Sequence, residues 1–326
     1  MKTTINDIGE FGLIDRIARV LPTSPSVVEG IGDDCAVLRV HDRLLLVSCD
    51  MAIEDIDFRK TWMGPDEIGW KVTAASLSDI AAMGGAPLFG LIGLACPGET
   101  EAHYIEEVFR GISNAMSRFG AVVVGGDTSR SHGPLALDVT VIGTTTGSRY
   151  LRRGGAQLGD LLAVSGFLGQ SSAGLHAFEH GKQHSAFRIS HCHPRPRIAE
   201  GQWLCRSYAV HAAIDISDGL LQDAAHLADA SQLGVNIQTE LLPVSEPLAQ
   251  YCSENGLNPL DFVLAGGEDF ELAFSLSPKE AEQTLHRFHH EFRTPVTIIG
   301  EFTDRWAGVR IDEKETPLRG FEHFRK

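Results

Sequence analysis

Aspartates in glycine-containing turns recur along the whole chain, and each follows an apolar stretch typical of a strand or a helix. Aspartate next to glycine suits two tasks, which are to ligate a hard cation through oxygen and to let backbone N–H groups approach a phosphate. One such turn is common, but several in one chain indicate a single polyphosphate site that surrounds several Mg²⁺ ions. The segments are Gly-Ile-Gly-Asp-Asp at 30–34, Ser-Cys-Asp at 48–50, Leu-Ser-Asp at 77–79, Gly-Gly-Asp at 125–127, Asp-Ile-Ser-Asp-Gly at 215–219 and Gly-Gly-Glu-Asp at 266–269.

Length and charge limit the class of protein. The chain has 326 residues, which is enough for two domains, and its 43% of hydrophobic residues provide a normal buried core. Its formal net charge of −15 argues against a nucleic-acid partner, because a phosphate backbone needs a basic face. A small anionic ligand is still compatible with this charge, since bound Mg²⁺ supplies positive charge.

The sequence carries no signal for membrane insertion or secretion. No apolar run approaches the roughly 20 residues that a membrane-spanning helix needs, and the first residues lack the apolar core of a signal peptide. The six cysteines are scattered and form no Cys-x-x-Cys pair, so neither a disulfide framework nor a zinc ribbon is indicated. We therefore expect a soluble, cytoplasmic protein with no membrane partner.

Both halves of the chain alternate between strand-like and helical patterns, which predicts a mixed α and β fold. A segment rich in glycine and arginine at 147–155 separates the halves, so we predict two domains, 1–148 and 149–326. In the first half we expect helices at 7–21, 66–82 and 100–118, a hairpin at 35–48, and strands at 88–95, 121–124 and 135–145. In the second half we expect helices at 171–180, 219–232, 245–255 and 278–290, strands at 160–165, 212–216, 234–239, 271–276 and 295–301, and an irregular Pro-rich stretch at 190–197.

Each motif alone also has a purely structural explanation. Gly-Asp-Asp at 32–34 fits a tight turn with solvated carboxylates, and Gly-Gly-Asp at 125–127 fits a type I′ or II′ turn as well as a phosphate-binding nest. Asp79 is less easily explained, because aspartate is a poor residue inside a helix. Ser217 or Asp218 is a plausible N-cap of the helix that follows, but capping accounts for only one of the two aspartates in that segment. The stretch at 165–174 either cradles an anion at a helix N-terminus or forms a flexible capped turn.

Familiar nucleotide-binding and catalytic signatures are absent from the sequence. It has no Gly-x-x-x-x-Gly-Lys-[Ser/Thr] loop, no dinucleotide fingerprint, no protein-kinase signature and no Gly-x-Ser-x-Gly elbow. His-Cys-His at 191–193 does not have a usual zinc spacing, so we predict no zinc site there. If the chain binds ATP, it therefore uses another scaffold.

Taken in order, these motifs resemble those of the thiamine-monophosphate kinase family from about residue 8 to the C-terminus. The combination is specific, although no single motif is. The matching segments are Gly-Ile-Gly-Asp-Asp-Cys-Ala-Val-Leu at 30–38, Ser-Leu-Ser-Asp-Ile-Ala-Ala-Met-Gly at 76–84, Gly-Gly-Asp-Thr at 125–128, Pro-Arg-Pro-Arg at 194–197, Ile-Asp-Ile-Ser-Asp-Gly-Leu at 214–220, Gly-Gly-Glu-Asp-Phe-Glu-Leu at 266–272 and Gly-Phe-Glu-His-Phe at 320–324.

The resemblance implies both a fold and a reaction. The fold has an N-terminal α+β domain that pairs into a homodimer and a C-terminal α/β sandwich domain. Aminoimidazole ribonucleotide synthetase, selenophosphate synthetase and a hydrogenase-maturation protein share it. The family transfers the γ-phosphoryl group of ATP to thiamine monophosphate and forms thiamine diphosphate. We therefore expect an ATP- and Mg²⁺-dependent phosphotransferase that acts by direct in-line transfer.

The resemblance also implies roles for individual residues. The expected Mg²⁺ ligands are Asp34, Ser48, Cys49, Asp50, Asp79, Asp127, Asp215 and Asp218. The expected ATP contacts are Gly126, Asp127, Arg153 and Ser217, of which Asp127 and Arg153 are also the expected catalytic residues. Asp57, Glu268 and Phe321 are expected to meet the substrate. Phe321 can stack on a heteroaromatic ring, and Glu268 can pair with a cationic or amine-bearing ring.

Two positions differ from the family pattern. Cys49 stands where threonine is usual, so a hydroxyl is lost while the backbone carbonyl remains. Asp57 stands where a substrate-facing histidine is usual, and a carboxylate there repels a phosphate unless it is bridged by metal or protonated. Two alternatives follow, which are an ATP-dependent enzyme of the same scaffold with a different small acceptor and a non-catalytic nucleotide-binding paralogue. The paralogue is disfavoured because every metal-type aspartate of the pattern is present.

Overall fold

The first half of the chain folds into a six-stranded sheet. The computed structural model describes residues 3–182, 185–317 and 320–324. The strands are β1 (Val27–Glu29), β2 (Ala36–Val40), β3 (Arg43–Ile53), β4 (Ala86–Cys96), β5 (Val122–Arg130) and β6 (Ala136–Thr144). They lie in the order β1-β2-β3-β6-β4-β5, in which β4 and β5 are parallel and the other pairs antiparallel. The helices of this half are α1 (Ile5–Val20), α2 (Pro65–Ala82) and α3 (Ala102–Arg118).

Alternation along the strands gives this sheet one covered and one open face. In β6, Leu137, Val139 and Val141 are buried, while the residues between them are half-buried. The buried side chains belong to the same core as the apolar residues of α2 and α3. These two helices approach each other closely at Gly69, where a Cβ atom would lie 1.9 Å from the carbonyl oxygen of Val108.

The second half forms a seven-stranded, mainly antiparallel sheet. Its strands are β7 (Leu161–Ser165), β8 (Val210–Asp215), β9 (Gly234–Ile237), β10 (Leu272–Leu276), β11 (Val296–Thr303), β12 (Gly308–Ile311) and β13 (Lys314–Glu315), in the order β13-β12-β9-β11-β7-β10-β8. Its helices are α4 (Gln170–Glu179), α5 (Ser185–Cys192), α6 (Ile198–Arg206), α7 (Leu220–Ala230), α8 (Glu246–Asn255), α9 (Pro259–Ala265) and α10 (Ala281–Glu291). Every residue of β10 is buried, as expected for a strand covered on both faces. The predicted mixed α and β fold is therefore confirmed.

Helix α2 lies between the two halves and contacts both. Besides packing on the first sheet and α3, it touches α6 and β8 of the second half. The approach to α6 depends on Gly201, because a Cβ atom there would lie 2.0 Å from the carbonyl oxygen of Ala81. Side chains of α2 therefore reach the cleft between the halves.

The strand predicted at 121–124 is longer and more exposed than expected. β5 continues through Gly125, Gly126 and Asp127 to Arg130, so these residues form neither the predicted turn nor a nest. The glycines instead accompany a register shift against β4, where a Cβ atom on Gly126 would lie 1.9 Å from the carbonyl oxygen of Ile92. Because β5 is the edge strand, its side chains lack a neighbour on one side.

Other differences concern helices. The amphipathic helix predicted at 7–21 is present as α1, yet none of its residues is buried, and Ile14 and Ile17 are exposed. Helix α5 overlaps the stretch predicted to be irregular, and α9, β12 and β13 were not predicted. No helix in the described part of the chain is both long and apolar enough to cross a membrane. The domain division at residue 148 stays a prediction.

Candidate active site

Three aspartates from distant parts of the chain meet at the cleft between the halves. Asp34 lies two residues before the start of β2, Asp79 lies on α2, and Asp215 is the last residue of β8. One carboxylate oxygen from each lies within 4.8 Å of the other two. Asp34 and Asp215 are buried, and Asp79 is partly exposed. Such a group of oxygen ligands is typical of a site for a hard divalent cation.

Strand β3 extends this cluster with alternate side chains. Ser48 and Asp50 point to one face of the strand and Cys49 to the other. The Ser48 hydroxyl donates a short hydrogen bond to the carboxylate of Asp79. The exposed Cys49 thiol lies 3.1 Å from the carboxylate of Asp138, on the open face of the sheet. Only the backbone carbonyl of Cys49 is therefore left for the predicted metal contact.

The crowding of these carboxylates makes their ionised forms unfavourable. Burial raises the pKa of Asp34 to about 7 and the pKa of Asp215 to about 6, and the charge of Asp50 adds to both shifts. Burial and the charges of Asp50 and Asp215 also raise the pKa of Asp79 well above its ordinary value.

Three buried oxygens of the cluster have no hydrogen-bond partner among the described residues. They are Oδ2 of Asp34, Oδ2 of Asp50 and Oδ2 of Asp215. Buried polar atoms are costly unless they are paired, and a cation pairs several carboxylates at once. The donor set consists of carboxylate and hydroxyl oxygens, which suits Mg²⁺. The residues present therefore fit a divalent cation.

Arg153 enters the cluster from the segment that joins the two halves. Its guanidinium donates to Oδ1 of Asp34 from Nε at 2.9 Å and from Nη2 at 2.6 Å. Its backbone N–H donates to Asp33 at 3.2 Å. Asp33 therefore binds the backbone of the segment that joins the two halves, whereas Asp34 lies close to Asp79 and Asp215. Two adjacent aspartates that sequence patterns alone do not distinguish therefore have different partners in the structure.

The segment after β8 presents both of its aspartates to the cleft. The carboxylate of Asp223, one turn inside α7, accepts hydrogen bonds from the backbone N–H groups of Asp218 at 3.2 Å and Gly219 at 3.0 Å. Gly219 is the N-cap residue, so the predicted cap at Ser217 or Asp218 is wrong. The helix begins after Gly219, whose own N–H is satisfied by Asp223.

A cavity of about 340 Å³ adjoins the aspartate cluster. The predicted site residues that line it are Asp50, Asp57, Ser217, Asp218, Glu268 and Phe321. Residues predicted to contact the metal, the nucleotide and the substrate therefore line the same cavity. Their individual roles stay predictions, but the structure brings these six side chains to one place.

A strained loop directs Glu268 toward this cavity. Glu268 and Phe270 have φ angles of 63° and 50°, in the left-handed region that residues other than glycine rarely adopt. The backbone N–H of Glu268 donates to the carbonyl oxygen of Ser217 at 2.7 Å.

The carboxylate of Asp269 accepts the backbone N–H of Gly169 at 2.6 Å, at the start of α4. The anion at this helix N-terminus is thus an internal carboxylate.

Two buried residues of the site were not predicted. Nζ of Lys71, on α2, lies 2.8 Å from Oε1 of Glu268 and 3.1 Å from Nε2 of His191. His191 belongs to the segment predicted not to bind zinc, and the structure places it against this ion pair. The sequence signal for this ion pair was a lysine in a part of α2 that is otherwise rich in small and apolar residues, because lysine is almost never buried unless it is paired.

Asp57 is bonded to its own turn. Its Oδ2 accepts the backbone N–H of Ile53, at the end of β3, at 2.7 Å. Burial raises the pKa of the Asp57 carboxyl, and the charge of Glu268 acts in the same direction. The protonated form is therefore more accessible than for a solvated aspartate, which weakens the repulsion of a phosphate that the sequence suggests.

Gly126 and Asp127 lie outside the compact cluster. Both are exposed on the edge strand β5, and Asp127 is in register with Gly93 of β4. Asp127 is not one of the three aspartates whose oxygens meet within 4.8 Å. The contacts of these two residues with Mg²⁺ and ATP stay predictions.

The sequence is similar to known proteins along nearly its full length. Residues 32–145 match the AIR synthase related protein, N-terminal domain, and residues 157–313 match the AIR synthase related protein, C-terminal domain. The thiamine-monophosphate kinase of Aquifex aeolicus (strain VF5) is 35% identical over 325 residues, with 98% of this chain and 99% of that protein covered. The thiamine-monophosphate kinase of Rhodopirellula baltica is 36% identical over 314 residues, with 92% of each covered. The solved structure of AaThiL complexed with AMPPCP and TMP is 34% identical, has a TM-score of 0.89, and matches over 99% of each chain.

Proposed function

Because this chain belongs to the thiamine-monophosphate kinase family, we propose that it transfers the γ-phosphoryl group of ATP to thiamine monophosphate and forms thiamine diphosphate and ADP. One observation carries the proposal. Asp50 and Asp218 line the cavity and are also among the aspartates that gather at the cleft. A phosphate ester bound in that cavity can therefore meet the phosphates of ATP at the cluster. The complex of AaThiL with AMPPCP, an ATP analogue, and TMP supports this pair of ligands.

The carboxylates at the cleft would hold Mg²⁺. The proposed ligands are the side chains of Asp34, Ser48, Asp50, Asp79, Asp127, Asp215 and Asp218 and the backbone carbonyl of Cys49. The unpaired buried oxygens of Asp34, Asp50 and Asp215 support this assignment. When bound, Mg²⁺ neutralises the charge of the phosphates during transfer.

The residues of the chain then bind and orient the two phosphate groups. The acceptor phosphate is already anionic, so in-line transfer needs no strong general base. Arg153 and Asp127 are the proposed catalytic residues, and Gly126 and Ser217 contact ATP with them. The Arg153 guanidinium has the planar fork that suits a phosphate, and its present partner is Asp34.

The cavity would receive the organic part of the acceptor. Phe321 is exposed on its wall and can stack on a heteroaromatic ring. Glu268 can pair with a cationic ring or an exocyclic amine. Asp57 lies on the same wall.

We also propose a homodimer formed through the first domain, residues 1–148. The open face of its sheet carries exposed apolar side chains, among them Phe89, Leu91, Val122 and Val124 of β4 and β5. Phe89 and Val122 are direct neighbours in the parallel pair. An exposed apolar sheet face next to an unpaired edge strand is typical of an interaction surface. The second domain, residues 149–326, would complete the nucleotide and substrate site.

A cytoplasmic location agrees with this activity. ATP is the proposed co-substrate, and all six cysteines are free thiols, as is usual in a reducing compartment.

Product analysis tests the proposed reaction. Purified protein is incubated with ATP, Mg²⁺ and thiamine monophosphate, and the thiamine esters are separated by chromatography with fluorescence detection. We expect thiamine diphosphate and ADP in equal amounts, and neither product above background when Mg²⁺ is removed with EDTA. ADP without thiamine diphosphate would contradict the proposed acceptor.

A further inference from the structure

Lys71 is a buried cation whose every hydrogen-bond donor is engaged. It is 4% exposed and lies in the part of α2 that faces the second half of the chain. Its ammonium group contacts Oε1 of Glu268 at 2.8 Å, Oε2 of Glu268 at 2.9 Å and Nε2 of His191 at 3.1 Å. An ammonium group has three N–H donors, so these acceptors fix its position.

His191 contacts Lys71 as a neutral ring. Its side chain is 3% exposed, and its Nδ1 lies 3.1 Å from Oγ of Ser171. Lysine can only donate, so Nε2 must be the acceptor and Nδ1 carries the proton. Burial and the charge of Lys71 lower the pKa of His191 to about 4, which keeps the ring neutral.

Glu268 is the most exposed of the three residues, all of which line the cavity. Its side chain is 33% exposed, against 5% for Lys71 and 3% for His191. Burial alone would raise the pKa of Glu268, but the charge of Lys71 and the hydrogen bond from Lys71 outweigh it and lower the pKa. The left-handed backbone at Glu268 fixes the other end of the residue.

We propose that Lys71 is a positioning residue that, backed by His191, fixes the ionised carboxylate of Glu268 toward the cavity and so selects an acceptor with a cationic ring or an N–H donor. The inference rests on the proposed function, because it concerns the acceptor of that reaction. A second explanation is that the ion pair only joins the two halves of the protein.

A double-mutant cycle separates these explanations. The variants are Lys71→Met, Glu268→Gln and the double variant, with Lys71→Gln as a second replacement that keeps N–H donors. Lys60→Met is the matched control, because Lys60 also pairs with a glutamate, Glu54 at 2.9 Å, but does not line the cavity. The measurements are KM for thiamine monophosphate, KM for ATP, kcat and thermal unfolding.

We expect Lys71→Met to raise KM for thiamine monophosphate about tenfold or more, as for loss of a charged hydrogen bond. KM for ATP should change less than about twofold, and Lys71→Gln should lie between Lys71→Met and the wild type. In the Glu268→Gln background, Lys71→Met should add little, because the carboxylate that it positions is gone.

Each contrary result has a distinct meaning. An equal effect of Lys71→Met in both backgrounds, or an equal rise in both KM values with a lower unfolding temperature, would overturn the positioning role and leave the proposed function intact. Wild-type protein that binds ATP but does not convert thiamine monophosphate would overturn the proposed function, and this inference with it.

Discussion

The carboxylate of Asp223 accepts the backbone N–H of Gly219 at 3.0 Å and so stabilises the start of α7 from inside the helix. The same oxygen also accepts the N–H of Asp218 at 3.2 Å. These bonds hold the backbone at Asp218 and Gly219, next to the candidate-site aspartates Asp215 and Asp218. A residue inside the helix thus fixes part of the loop that precedes it.

Replacement of Asp223 by alanine should lower the free energy of unfolding by about 1–3 kcal/mol, because buried N–H groups lose their acceptor. Asp223→Asn keeps an acceptor oxygen at the same place and should cost less than half as much. Urea unfolding monitored by circular dichroism measures both. Equal losses from the two variants would show that charge, and not hydrogen bonding, is what Asp223 contributes.

Asp79→Asn should stabilise the metal-free protein and remove its response to Mg²⁺. Burial and the charges of the neighbouring aspartates raise the pKa of Asp79 well above its ordinary value, and asparagine removes the cost of ionising this group. Thermal unfolding with and without Mg²⁺ measures both effects, and Asp42→Asn, at an exposed hairpin position, is the control. A destabilised variant that still gains stability from Mg²⁺ would contradict the assigned role.

Stability should depend on pH in a direction set by the same carboxylates. Burial raises the pKa values of Asp33 and Asp34 from 3.8 to about 7 and that of Asp215 to about 6. Between the unfolded-state pKa of about 4 and the folded-state values of about 6 to 7, these groups bind more protons in the folded chain than in the unfolded chain. Their contribution to the free energy of unfolding therefore falls as pH rises from about 4 to about 7. Urea unfolding in EDTA across this range measures the slope. Saturating Mg²⁺ should flatten it, and a slope of the opposite sign in EDTA would contradict the account of the cluster.

Asp57→His should keep or raise activity with thiamine monophosphate, because it removes a carboxylate from the wall that receives a phosphate ester. Asp57→Asn is the matched variant, since it loses the charge but can still accept the Ile53 N–H. Steady-state kinetics should give a KM for thiamine monophosphate no higher than that of the wild type for Asp57→Asn. A large loss of kcat in both variants would instead give the Asp57 carboxylate a function of its own.

Asp127→Asn should abolish Mg²⁺-dependent turnover and leave folding intact. Asp127 is exposed on the edge strand β5, so the change in the free energy of unfolding should stay within about 0.5 kcal/mol. Asp304→Asn, at another exposed position, is the control and should keep full activity. Undiminished turnover by Asp127→Asn would remove this residue from the proposed site.

Part of the candidate site could be predicted from local sequence, because local rules leave some of its aspartates unexplained, whereas the roles of the other residues follow from the resemblance to the family. Asp79 interrupts an apolar helix, and Asp215 and Asp218 exceed what one cap requires. The fold class followed from the same alternation of strand and helix patterns, which depends only on neighbouring residues.

The parts that could not be predicted depend on contacts between distant residues. Lys71 and Glu268 are 197 positions apart, and nothing near either residue in the sequence points to the other. The cap from Asp223 was missed because it comes from within the helix, whereas capping patterns are read from the loop before it. The exposure of β5 could not be read from its apolar residues, because it reflects the strand's place at the edge of the sheet.

A radioactive label shows where the phosphoryl group of ATP goes in the proposed reaction. Protein is incubated with Mg²⁺, thiamine monophosphate and ATP that carries radioactive phosphorus only in its γ-phosphoryl group, and the thiamine esters, inorganic phosphate and protein are then separated. We predict that the label appears in the terminal phosphate of thiamine diphosphate and that the protein stays unlabelled at all times. Label in inorganic phosphate or on the protein, with none in thiamine diphosphate, would contradict direct transfer between the aspartate cluster and the cavity.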